Sequence, residues 1–168
     1  SNGIFILLTS KLNLLLNTVK SRCQIIRFRS FSDDQLNSIL KNYLDSSNYK
    51  LTEKLKLEDL IKSANGSQYQ LLKNLETWNE LSDEITSKLN SPIKNNLEIL
   101  ELTKLITEQL ETDQQICLVN LIQIIWWRKI KNSDLIKKLE NLKFYLKNNI
   151  QPRLAWEITF LKISLENI

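Results

Sequence analysis

Histidine is absent from this chain of 168 residues, which rules out Ser-His-Asp and Cys-His nucleophilic sites and imidazole metal ligation within it. Glycine is almost as scarce. Gly3 and Gly66 are the two present, and no G-x-x-x-x-G-K-[ST] sequence occurs, so ATP cannot be held here by a phosphate loop. The two cysteines, Cys23 and Cys117, lie far apart and form no C-x-x-C pair. A disulfide framework and a cysteine-built metal site are therefore not expected, and both thiols read as small buried hydrophobes. Long apolar runs are missing too. The longest, residues 4–8 and 124–127, fall far short of the ~20 residues that a membrane-spanning helix requires. With no recognisable signal peptide, the expectation is a cytoplasmic protein without membrane contact.

What is present can build a core. Hydrophobic residues make up 42% of the chain, enough for one or two domains. The 23 lysines and arginines are nearly balanced by 19 interleaved acids, so the net charge of +4 does not mark a nucleic-acid binder. The densest basic segment, Arg128, Lys129, Lys131, Lys137, Lys138, Lys143 and Lys147, lies on two predicted helices. It reads as solvated faces, because it lacks the interleaved aromatics that stack on single strands.

Most of the chain is patterned as helix. Ser32 and Gln35 form a capping box ahead of the stripe Leu36, Ile39, Leu40 and Tyr43. A second helix is predicted over residues 57–64, with Asn65 and Gly66 as its left-handed stop. Ser67 caps a third, whose buried side carries Leu71, Leu72, Leu75 and Trp78. Ser91 followed by Pro92 reads as a cap with proline at the first helical position. The helix they open carries Ile93, Leu97 and Leu100 along one side, with Ile99, Leu102, Ile106 and Leu110 along another. From Asp113 onward, apolar residues fall on nearly every face, which predicts the middle helix of a bundle. Asn132 with Ser133, and later Pro152, open two more. In the adjacent pair Trp126 and Trp127, the first is expected to fill the core and the second to mark a subunit interface.

Residues 4–28 differ. They read as a strand, a short helix and a second strand, with Ser21, Arg22 and Cys23 where the helix gives way. An arginine at such an edge offers a planar, permanently charged fork suited to phosphate oxygens. Two strands and one helix cannot stand as a sheet alone, so this portion reads as a piece of something larger.

The words FILLTS, then LLNTVKSRCQ and a β-branched strand, resemble the clamp-loader branch of the AAA+ ATPases. Thr18 stands three residues before Ser21, as in that family. Farther on, Ala64, Asn65, Gly66 and Ser67 followed by Leu71 and Leu72 look like its lid helix. Gln151, Pro152, Arg153, Leu154 and Ala155 resemble the start of a late collar helix. The resemblance implies a mainly all-α chain in three parts: residues 1–29 as a remnant strand-helix-strand of an AAA+ α/β domain, 30–78 as a three-helix lid, and 79–168 as a helical collar bundle. It also implies roles. Arg22 would be an arginine finger acting in trans, with Ser21 and Cys23 supporting it, and Thr9 and Ser10 would be a vestigial sensor 1. From the residues alone, Thr9 and Ser10 read as a pair that caps the segment after them.

Departures from the pattern narrow the choice. Tyr69 stands where the lid normally carries its sensor 2 arginine, and Leu16 replaces a common proline. The resemblance then implies a noncatalytic subunit of the bacterial DNA polymerase III loader that binds no cofactor itself. ATP and Mg would sit on the neighbouring subunit. Its partners would be the gamma/tau and delta subunits and, through the whole complex, the sliding clamp and primed DNA. The alternatives are a gamma/tau motor ATPase fragment, or an unrelated helical module that binds protein or DNA. In the family's sheet another strand lies between the two predicted here, so the resemblance also implies that residues 1–29 rearrange, disorder or pair between chains in a non-native dimer.

Overall fold

Side-chain caps written in the sequence start most of the long helices in the computed structural model, which describes residues 3–49, 51 and 55–165. After a 3-10 turn at Leu12–Leu14 comes the single-turn helix α1 (Asn17–Lys20). Helix α2 (Asp33–Ser46) opens on the full capping box: Ser32 Oγ accepts from the Gln35 amide at 3.3 Å, and Gln35 Oε1 accepts from the Ser32 amide at 2.9 Å. Asp33 and Asp34 add negative charge at the positive end of the dipole. Helix α3 (Leu57–Ala64) ends as predicted, with Asn65 at φ 47° and Gly66 at φ 76° turning the chain left-handed. Ser67 then caps α4 (Gln68–Glu80) through the Gln70 amide.

Five more helices follow: α5 (Asp83–Lys88), α6 (Asn96–Gln109), α7 (Thr112–Ile130), α8 (Ser133–Lys147) and α9 (Pro152–Leu165). Helix α7 lies in the middle, as its pattern predicts, packing against α3, α4, α6 and α8, while α9 covers α6 and α8. One continuous cluster of buried side chains runs from Leu36 to Ile163. Its tryptophans are tied by polar bonds that fix the packing register. The Trp126 indole N–H donates to the Leu89 carbonyl at 2.7 Å, and its ring meets Phe160 at 5.6 Å. Trp156 donates to Gln115 Oε1 at 2.9 Å, while Gln115 Nε2 donates to the Leu110 carbonyl at 2.8 Å. A buried glutamine on an apolar helix is thus satisfied at both ends.

Three expectations are corrected. Among the described residues there is no strand, so the strand-helix-strand remnant predicted for residues 1–29 is not formed; α1 and the 3-10 turn are its regular structure. The side chains of Phe5 and Phe28 are 91% and 90% exposed. A strand satisfies its backbone only through a neighbour, and among the described residues no segment pairs with either of these two. Cys23 is exposed for the same reason, contrary to its reading as a buried hydrophobe, whereas Cys117 is buried. The Ser91-Pro92 helix start is also displaced: α6 begins at Asn96, where Asn95 Oδ1 accepts from the Leu97 amide at 3.0 Å. A side-chain cap four residues downstream outcompetes the proline.

Candidate functional site

Arg22 sits in the turn that closes α1. The helix is one turn long, and its end is held by a ladder of local bonds. The Ser21 amide donates to the Asn17 carbonyl at 2.9 Å, the Arg22 amide to Val19 at 3.1 Å and the Cys23 amide to Lys20 at 3.4 Å. Ser21 Oγ donates to the Thr18 carbonyl at 3.2 Å, so the three-residue spacing from Thr18 to Ser21 has a mechanical use: the hydroxyl closes the turn that carries the arginine. Ser21, Arg22 and Cys23 are all exposed. The Arg22 guanidinium has no ion pair or hydrogen bond among the described residues and is free to reach another molecule.

Thr9 and Ser10 are exposed as well. Thr9 Oγ1 accepts from the Lys11 amide at 3.0 Å, a local turn bond, and no hydrogen bond joins either residue to Ser21, Arg22 or Cys23 among the described residues. Tyr69 lies exposed in the first turn of α4 with the Lys73 ammonium 5.7 Å from its ring centre. Burial alone would lower the Lys73 pKa, but Tyr69, Cys117 and Asp113 together hold it above the usual lysine value.

Behind Tyr69, α4 is bound to α7 by polar ties. Gln70 Nε2, which also donates to Asn74 Oδ1 on its own helix at 2.7 Å, donates to Cys117 Sγ at 3.2 Å, and Lys73 pairs with Asp113 at 3.7 Å. Desolvation pushes the Cys117 thiol above its ordinary pKa, as suits a packing residue. Helix α3 is joined to α7 by an ion pair between buried Asp59 and Arg128. Sequence reasoning missed that pair and left Arg128 among the solvated basics. Other members of that basic segment are also engaged: Lys129 donates to the Asn90 carbonyl at 2.6 Å and Lys137 pairs with Asp134 at 3.0 Å. Trp126 is buried and fills the core as its pattern predicts, and Trp127 is 45% exposed.

A sequence model of the cyanobacterial DNA polymerase III delta prime C-terminal domain matches residues 34–163. The chain belongs to that family. No curated protein and no solved structure matches it. The match runs from the first turn of α2 to the last turn of α9, so the delta prime signature resides in the packed helices. Arg22, Ser21, Cys23, Thr9 and Ser10 lie outside the matched span. Among the described residues no helix is long and apolar enough to cross a membrane, and no cluster of acids and cysteines could hold a metal ion.

Proposed function

We propose that this chain is the lid-and-collar portion of a noncatalytic, delta prime-like subunit of the DNA polymerase III clamp loader. In this reading α2–α4 form the lid, and the helices after them form a collar that joins the gamma/tau and delta subunits in a ring, with exposed Trp127 at an interface. Arg22 reaches the ATP and Mg held by a neighbouring subunit, and the assembled cytoplasmic complex opens the sliding clamp and loads it onto primed DNA. The observation that carries the proposal is the delta prime family match across all the long helices. Tyr69 in place of a lid arginine supports a subunit that does not turn over nucleotide itself, and disfavours the gamma/tau motor.

An arginine finger neutralises charge spread over the transferring phosphoryl oxygens and is worth about 10³ to 10⁵ in rate at the site it faces. Arg22→Ala in the full-length subunit is therefore expected to silence one ATP site of the reconstituted loader, lowering steady-state ATP turnover while the ring still assembles by size-exclusion chromatography. Unchanged turnover in a fully assembled ring would remove the finger assignment and leave the structural role standing.

A further inference from the structure

The last turn of α3, the first turn of α4, the middle of α7 and the C-terminal half of α8 enclose an open cavity of about 430 Å³, within the range of small-ligand sites. Its walls carry Lys62, Asn65, Gln70, Asn120, Gln123 and Lys143, and no carboxylate lines it. The polar groups are not equivalent. Lys143 Nζ donates to Asn120 Oδ1 at 3.1 Å, and an ammonium can only donate, so this bond orients the amide. The Asn120 Nδ2 donor is left for the cavity. Gln70 and Gln123 spend their amino groups elsewhere, on Asn74 and Cys117 in one case and on Glu140 at 2.8 Å in the other. Glu140 also accepts from Lys143 at 2.6 Å. Burial would raise its pKa, but the bonds from Lys143 and Gln123 outweigh burial and hold its carboxyl below the usual range, so it stays charged and engaged.

What remains is a surplus of donors. The Lys62 ammonium, the Asn65 side-chain amide and Asn120 Nδ2 have no hydrogen-bond or ion-pair partner among the described residues, and all three residues border the same space. Fixed donors around positive charge, with no lining carboxylate, call for a ligand with several acceptor oxygens and negative charge. We propose that the α3–α4–α7–α8 cavity binds a phosphate group, carried either by a small phosphorylated molecule or by a nucleic-acid backbone. Lys62 supplies the charge, Lys143, paired with Glu140, orients Asn120, and Asn65 and Asn120 direct donors at the oxygens. This site shares no residue with the Arg22 turn, so either assignment can fail without the other.

The test is an amide-resolved NMR titration of the 168-residue chain at constant ionic strength, with inorganic phosphate, pyrophosphate and a short oligothymidylate as separate probes. Saturable shifts at Lys62, Asn65 and Asn120 are expected with inorganic phosphate. Lys62→Ala should weaken binding by about tenfold, in line with the loss of one charge-assisted hydrogen bond. Asn120→Ala, which removes a neutral donor, should weaken it less, and Lys104→Ala on α6 should leave it unchanged. Oligothymidylate binding that moves the same amides and weakens in Lys62→Ala identifies a nucleic-acid backbone as the source. Binding confined to inorganic phosphate and pyrophosphate identifies a small molecule. The proposal is overturned if no probe gives saturable shifts at these residues, or if the shifts survive both Lys62→Ala and Asn120→Ala in chains whose spectra remain folded.

Discussion

Residues 3–31 expose Ile4, Phe5, Ile6, Leu8 and Phe28, while α7 buries Leu118, Leu121, Ile122 and Ile125, although both stretches are runs of large apolar side chains. Hydrophobicity alone does not separate them. A helix closes its own backbone hydrogen bonds before it packs, so α7 brings a satisfied rod to its neighbours and lets every face be covered. A strand has no such independence. The backbone bonds of residues 3–23 are local turns, and the backbone hydrogen bond that reaches the helical body runs from the Phe31 amide to the Gly66 carbonyl at 2.9 Å. Each buried leucine or isoleucine contributes roughly 1.5 to 3 kcal/mol. The helical body collects that contribution along its length, and the leading segment does not.

The strongest way to break this comparison is a matched pair of truncations. Trp126→Ala removes a ring that is 1% exposed, in tilted contact with Phe160 and bonded to the Leu89 carbonyl. It should destabilise the chain by about 3 to 5 kcal/mol. Phe28→Ala removes a ring of comparable character from the leading segment and should shift the midpoint of urea unfolding by less than about 0.5 kcal/mol in equivalent stability. Equal losses from the two would mean that the leading segment contributes to the core.

The same contrast explains what could be read from one dimension. The Ser32–Gln35 capping box, the Asn65-Gly66 stop, the Asn132 cap and the proline start of α9 were legible because each is a local signal acting within four residues. The central place of α7 was legible because its apolar residues cover most of its circumference. Asp59 and Arg128 were not, because 69 residues separate them and nothing near either one signals a partner. Lys62 and Asn120 escaped notice for a related reason: an exposed lysine and an asparagine on helices are unremarkable until folding sets them around one cavity. The leading strands were misread because their local pattern is sound and their missing requirement is a neighbour. As for Arg22, the motif words around it lead to a turn whose bonds are all local, and the role proposed for it depends on a surface that one chain does not contain.

The junction between the regions offers a finer test. Gly66 adopts φ +76°, and a Cβ placed there would lie 2.6 Å from Ser30 Cβ and 3.2 Å from the Phe31 carbonyl. Gly66→Ala therefore combines left-handed strain, about 1 to 2 kcal/mol, with a collision against the incoming segment. If the segment yields freely, adding Ser30→Gly should restore nothing and the loss should stay within that range. A larger loss that Ser30→Gly partly repairs would show that the backbone at Ser30 is held firmly against the α3–α4 turn, which would narrow the gap between the two regions.

The smallest expected effect concerns alkaline pH and belongs to the helical body alone. Tyr43 on α2 donates its hydroxyl to Glu76 Oε1 on α4 at 2.7 Å, and that bond, with desolvation and the negative charge of Glu76, pushes the phenol up to about 12 from its ordinary 10.0. The folded state thus keeps a proton that the unfolded chain gives up first. A raised pKa stabilises fully below pH 10 and loses its contribution as pH climbs through about 12, so the chain should weaken across that interval. Tyr43→Phe deletes the titrating group and should flatten this part of the stability profile measured by urea unfolding at stepped pH, at the expense of a slightly lower plateau near neutrality. Lys88, raised chiefly by its bond to Glu84, loses its own stabilisation at high pH in both chains and cancels in their difference. Identical slopes for the two chains between pH 10 and 12 would show that the α2–α4 contact opens before the phenol ionises, leaving α2 closer in behaviour to the segment that precedes it.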